Sequence, residues 1–117
     1  MTARCLSLVL CLLVGCTTVN RASLVTSTAT ILCDWGQTNR AAGNKWNNTW
    51  EANPVLGPRP SQGFVAMYFA SVLSMNAIAW VVMPERTKSA LPVGITVMQT
   101  DTIIGNVQGG HTGVCGF

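Results

Sequence analysis

Phe64 to Met83 is a run of twenty residues in which the Tyr68 phenol is the one ionisable side chain. A helix rises about 1.5 Å per residue, so about twenty apolar residues cross a hydrocarbon core. Ser61 stands before the run as a candidate N-cap. Pro84 stops it, and Glu85, Arg86 and Lys88 follow at once. Tyr68 and Trp80 lie near its two ends, where interfacial aromatic belts form. The same run could be the core helix of a globular domain. Charge decides between the two: 9% of the chain is charged, against about 25% in soluble domains. With a mean hydropathy of +0.37, the membrane reading is the expectation.

The run carries a seam of small side chains. Ala66, Ala70, Ser74 and Ala77 recur at spacings of four, four and three, one face of a helix on which another helix can pack closely. Asn76 is a polar group at the same depth and needs a partner.

The chain holds 7 Lys and Arg against 4 Asp and Glu. That excludes a charge-driven nucleic-acid binder, an acidic tail and a disordered linker. The expected partners are membrane lipid and either other envelope proteins or a second copy of the chain, packed helix on helix.

Residues Met1 to Cys16 read MTARCLSLVLCLLVGC. Arg4 supplies a short positive region and Cys5 to Val14 an apolar stretch of ten, the length of a signal-peptide core and too short to span. Leu13-Val14-Gly15-Cys16 resembles a bacterial lipobox. The resemblance implies a signal peptide over 1–15, cleavage after Gly15, diacylglyceryl on the Cys16 sulfur and acylation of the new N-terminus. Residues 16–117 would then form one small membrane-associated domain of the bacterial cell envelope. The inner membrane holds it if its helices span. The outer membrane receives it if lipoprotein sorting through Thr17 prevails.

Three weaker segments complete the chain. Residues 22–36 suit a short helix, diluted by Ser23, Thr26, Ser27, Thr28 and Thr30, hydroxyls that can bond back to their own backbone. Residues 37–63 read as a polar loop rich in Pro, Asn and Gly, with Trp46 and Trp50 four apart. Residues 93–107 fit a helix or a pair of strands, since Thr96, Val97, Thr102, Ile103, Ile104 and Val107 favour β. Glycines crowd the tail at 105, 109, 110, 113 and 116. The expected fold is mainly α: a membrane helical hairpin of two to three helices with a polar loop and a Gly-rich C-terminal tail.

Of the five cysteines, Cys5 and Cys11 leave with the signal peptide and Cys16 takes lipid. Cys33 and Cys115 remain, an even number that can pair in an oxidising compartment. Two unpaired thiols are slightly favoured, because Cys33 lies in an apolar stretch. A span over 22–36 starting from an external Cys16 would put Arg40, Lys45 and Arg59 in the cytoplasm, as the positive-inside rule prefers. It would also bring Cys33 toward the reducing side.

Asp34-Trp35-Gly36-Gln37-Thr38, then Trp50-Glu51-Ala52-Asn53-Pro54-Val55-Leu56-Gly57, then Pro60-Ser61 and Tyr68-Phe69-Ala70 resemble a family of small uncharacterised bacterial and phage-borne membrane proteins. Its pattern is D-x-x-Q-T, E-x-N-P-x-L-G-x-x-P-S and Y-F, with a Leu-Pro or Met-Pro exit. The resemblance covers about 34 to 86 and marks Asp34, Gln37, Thr38, Glu51 and Asn53 as a polar constellation. A structural role is expected for it: Asp34 and Gln37 share a helix face, while Glu51 and Asn53 can bond across the hairpin mouth. Asp34 with Glu51 alone is a poor metal-ligand set, better suited to Mg²⁺ or Ca²⁺ than Zn²⁺, and neither metal nor other cofactor is expected.

Catalysis finds little support. The single histidine, His111, sits in the Gly-rich tail, and its spacing from Cys115 supplies only two ligands. No nucleophile elbow or phosphate loop is present. The expectation is a non-enzymatic envelope lipoprotein with a structural or protein-interaction role. The alternatives are a periplasmic lipoprotein with a compact ligand- or protein-binding domain, and a phage or mobile-element accessory protein acting at the host envelope.

Overall fold

The computed structural model describes residues 2–45, 47, 50, 51, 53–109 and 115, with side chains from Thr18 onward. The readings that concern the Cys16 side chain, Trp46 and His111 fall outside the described residues.

The chain is mainly helical. Helix α1 runs Thr2–Gly43, α2 Gln62–Val82 and α3 Ala90–Gln108. Both α2 and α3 pack on α1 and touch each other only lightly. Asn76 meets Ser27 while Gln62 meets Asn39, so α2 runs antiparallel to α1. Asn20 meets Glu85 while Asp34 meets Asn106, so α3 runs parallel to it. Forty-two residues of α1 at about 1.5 Å each account for the molecule's long dimension of 67 Å.

Helix α2 is the element the sequence marks most clearly. The Ser61 hydroxyl accepts from the Phe64 N–H at 3.3 Å, and Met83 is the C-cap just before Pro84. Its buried face is Val65, Phe69 and Asn76. Phe69 stacks on Trp35 of α1 with ring centroids 6.0 Å apart, and Ile31 and Leu56 complete the apolar cluster. The Ala66/Ala70/Ser74/Ala77 seam does not meet α1: Ala70, Ser74 and Ala77 are exposed.

Helix α1 extends well past residue 36, correcting the expected loop over 37–63, which starts instead at Asn44. Its buried stripe is Asn20, Ser27, Ile31, Asp34, Thr38 and Ala41, steps of seven, four, three, four and three that keep one helical face inward. The face is mostly polar, so an apolarity scan ends the helix too soon. Ser23, Thr26, Ser27 and Thr30 donate to carbonyls three or four residues back, as hydroxyls in a helix of this kind can. Lys45, at φ 52°, turns the chain out of the helix.

The 93–107 segment is helix, which settles the helix-or-strand alternative. Pro92 falls in the first turn of α3, where its missing N–H costs nothing. Thr96 and Thr102 cap their own turns by donating to Pro92 O and Met98 O. Helical spacing brings Pro92, Gln99, Ile103 and Asn106 to one buried face, and that docking outweighs β propensity.

Cys33 and Cys115 are joined by a disulfide across 82 residues, with Cα atoms 4.2 Å apart. The lean toward two unpaired thiols is thereby corrected. It rested on the apolar stretch around Cys33, whereas a parallel α3 returns the chain to the level of Cys33.

Candidate functional site

The linker between α1 and α2 folds on itself before it can position anything. The Asn53 side-chain oxygen accepts from the Val55 N–H at 3.0 Å and Leu56 N–H donates to Asn53 O at 3.2 Å, an Asx turn of the kind Asn-Pro sequences make. Gly57 takes φ +75°, a conformation that suits glycine. The Glu51 N–H donates to Pro58 O at 3.0 Å and closes the loop. The Glu51 carboxylate is thereby directed toward α1.

One half of the cluster centres on Glu51. Thr38 Oγ1 donates to Glu51 Oε2 at 2.8 Å, and the Asn53 N–H donates to Glu51 Oε1 at 2.8 Å. The Asn53 amide donates to the Tyr68 hydroxyl at 2.8 Å. This loop is therefore pinned to both α1 and α2. The Asn53 backbone, rather than its side chain, is the group that meets Glu51. Tyr68, read as an interfacial residue, is drawn into the cluster.

The other half centres on Asn106 of α3. Its Nδ2 donates to Asp34 Oδ1 at 3.1 Å and to Gln37 Oε1 at 3.2 Å. Asp34 is 0%, Gln37 1% and Asn106 1% exposed. Glu51 is the charged group whose field bears on Asp34. Asp34 Oδ2 and Asn106 Oδ1 have no hydrogen-bond partner, a state that ordinarily costs about 1–3 kcal/mol per buried group.

All five residues of the polar constellation thus gather at one end of the bundle, as two neighbouring hydrogen-bonded groups. Asn106 is the member the sequence reading missed. Pro92, Gln99 and Asn106 are spaced by seven, a pattern that exposes it once the segment is taken as helical. A separate polar contact lies further along α1, where Asn76 Nδ2 donates to Ser27 Oγ at 2.9 Å, the partner its depth requires. Among the described residues, no three His, Cys, Asp or Glu gather in one place.

The cluster's chemistry is hydrogen bonding and charge burial: it fixes a loop and a third helix to α1. Comparison with protein-family models, curated proteins and solved structures finds no match for this chain. The fold and the cluster define a three-helix protein, mainly α, with a polar interior at one end.

Proposed function

We propose that this chain is a small membrane protein of the bacterial cell envelope, held in the bilayer by α2 and by lipid on Cys16, with a structural or protein-interaction role. The observation that carries the reading is an inverted distribution of polarity. Among the described residues, ten polar side chains are buried against six hydrophobic ones. Large apolar side chains face outward instead, Met67, Met75, Ile78 and Val81 of α2 among them, each more than 60% exposed. Only 17% of the most apolar stretch of α2 is buried within the protein. Buried polar groups that bond between helices, with apolar groups turned outward, suit lipid as the surrounding solvent.

A compact soluble envelope domain with α2 as its core is less well supported, because a core helix would be mostly buried. The small-residue seam, largely exposed on α2, is the natural face for a second copy or another envelope helix. The exposed hydroxyls there are satisfied within the helix: Ser71 and Ser74 donate to Met67 O and Ala70 O at 2.8 Å each.

The test follows radioactive palmitate into the protein, then extracts membranes with alkaline carbonate. The protein should carry label, lose it in Cys16→Ala and stay in the pellet after protease removes the lipidated end. Release of the trimmed protein into the supernatant would defeat the spanning role of α2. Unlabelled protein would defeat the lipid anchor.

A further inference from the structure

We propose that Asp34 and Asn106 form a proton-binding site, in which Asp34 is a neutral carboxylic acid paired with the Asn106 amide in a closed ring of two hydrogen bonds. The inference starts from two orphaned oxygens. Asn106 Nδ2 already donates to Asp34 Oδ1 at 3.1 Å. The unpartnered atoms of these same two side chains are Asp34 Oδ2 and Asn106 Oδ1, both acceptors when the acid is ionised. Asp34 is completely buried and Asn106 all but so, and an orphaned acceptor is costly there. One proton on Oδ2 converts that acceptor into a donor, and the amide oxygen of the side chain already bonded to Oδ1 is the acceptor left for it. Both orphans are then satisfied by a single ligand, and the ring ties α1 to α3.

The neighbouring carboxylate explains which acid takes the proton. Both oxygens of Glu51 already accept hydrogen bonds, from Thr38 Oγ1 and from the Asn53 N–H. Asp34 Oδ1 accepts from Asn106, Thr38 lies beside the same carboxyl, and Oδ2 is left without a partner in the field of Glu51. The carboxyl oxygen left without a donor is Asp34 Oδ2, and that is where a proton satisfies the cluster. Among the described side chains the other ionisable groups on packed elements are Tyr68 on α2, whose hydroxyl accepts from Asn53, and the exposed Asp101 on α3, Arg21 and Arg40 on α1, and Lys45 and Arg59 on the loop. The consequence is a pH-sensitive latch. Loss of the proton leaves a carboxylate against an amide oxygen and a second carboxylate, and frees the C-terminal half of α3. The Cys33–Cys115 bond, one residue from Asp34, still tethers the tail.

Infrared difference spectroscopy of the full chain in detergent micelles, wild type against Asp34→Asn, reads the proton directly. A protonated-carboxyl C=O band should be present near neutral pH and absent from Asp34→Asn. The variant keeps the ring, because its amide donates to Asn106 Oδ1 and accepts from Nδ2. Chemical unfolding gives a second readout. The folded state holds a proton that the unfolded chain releases above about pH 4. Above that pH the wild-type unfolding constant should rise by up to about tenfold per pH unit until the folded acid ionises. Asp34→Asn should lack this component and be the more stable protein at alkaline pH. The proposal fails if no such band assigns to Asp34, or if Asp34→Asn is the less stable at every pH, which would mark an ionised carboxylate. It also fails if a chelator destabilises the wild type and Mg²⁺ or Ca²⁺ restores it, which would put a metal cation where the proton is placed.

Discussion

The two faces of α1 are held to their partners by different physics. Against α2 the contact is apolar: Val65 and Phe69 are fully buried, Phe69 lies over Trp35, and one polar pair, Asn76 with Ser27, sits further along. Against α3 the buried set is Pro92, Gln99, Ile103 and Asn106, with a disulfide beside it. Toward the start of α3 the second seam opens into an apolar groove of about 310 Å³, lined by Val19, Ala22 and Thr26 of α1 and Val93 and Val97 of α3. Close packing holds one seam. The other adds directional bonds and a covalent link to its packing. Should the bundle lie in lipid, as proposed, its helices would have no hydrophobic drive toward each other, and packing and polar contacts would do this work.

Breaking the covalent link is the strongest test of that contrast. Cys33→Ser opens a loop of 82 residues' separation, which the chain-entropy relation values at about 4 kcal/mol. The expected result is selective. Cross-links between α1 and α3 should weaken, while those between α1 and α2 persist. Equal loss at both seams would show that the two faces are one cooperative unit. The opposite perturbation is Phe69→Ala, which removes a fully buried ring and its stacking on Trp35. It should cost about 3 kcal/mol in unfolding free energy, and the α1–α3 disulfide should still form, as a thiol count under denaturing conditions would show.

The contrast also explains what could be read in advance. Helix α2 is visible in the sequence because its signals are local, Ser61 before, Pro84 after and an unbroken apolar run between, but the face it buries, Val65 and Phe69, is not the small-residue face the spacing suggests. The polar seam depends on partners far away in the chain. Gln37 and Thr38 read as loop because nothing near them says that Asn106 and Glu51 will cover them from 69 and 13 residues away. Asp34, Gln37, Thr38, Glu51 and Asn53, polar residues at the two ends of the α1–loop junction, do converge. Asn106 stayed hidden behind the helix-or-strand ambiguity of α3, since only helical spacing puts it on the same face as Gln99. The disulfide was misjudged for a related reason: its pairing follows from the direction of α3, which local composition does not encode.

A smaller effect sharpens the polar side. In Glu51→Gln one oxygen still accepts, but the other position becomes an NH₂ donor and confronts either Thr38 Oγ1 or the Asn53 N–H. The expected loss is about 1–2 kcal/mol, with faster amide exchange at Asn53 and unchanged exchange in the centre of α2. Exchange that quickens along α2 as well would mean that the loop clamps the apolar seam too.

The least effect is expected where charge is most conspicuous. Lys88 Nζ lies 2.6 Å from Glu85 Oε1 and 5.1 Å from the Trp80 ring centre, on the turn between α2 and α3. The hydrogen bond from Lys88 holds the Glu85 carboxyl below its usual range against the opposing effect of desolvation, helped by the Asn20 amide and the charges of Lys88 and Arg21. A carboxyl depressed in this way lends stability above its unfolded range and loses it as pH falls through the folded value. Glu85 is fully solvated, however, and water and salt screen such a pair. Lys88→Met should therefore leave the unfolding midpoint unchanged within error at neutral pH and at moderate salt. The methionine retains an apolar stem over Trp80, while Asn20 Nδ2 continues to donate to Glu85 O at 3.0 Å and holds the turn against α1. A clear drop in the midpoint, abolished by added salt, would show that the α1–α3 seam draws on this ion pair as well as on its buried amides and its disulfide.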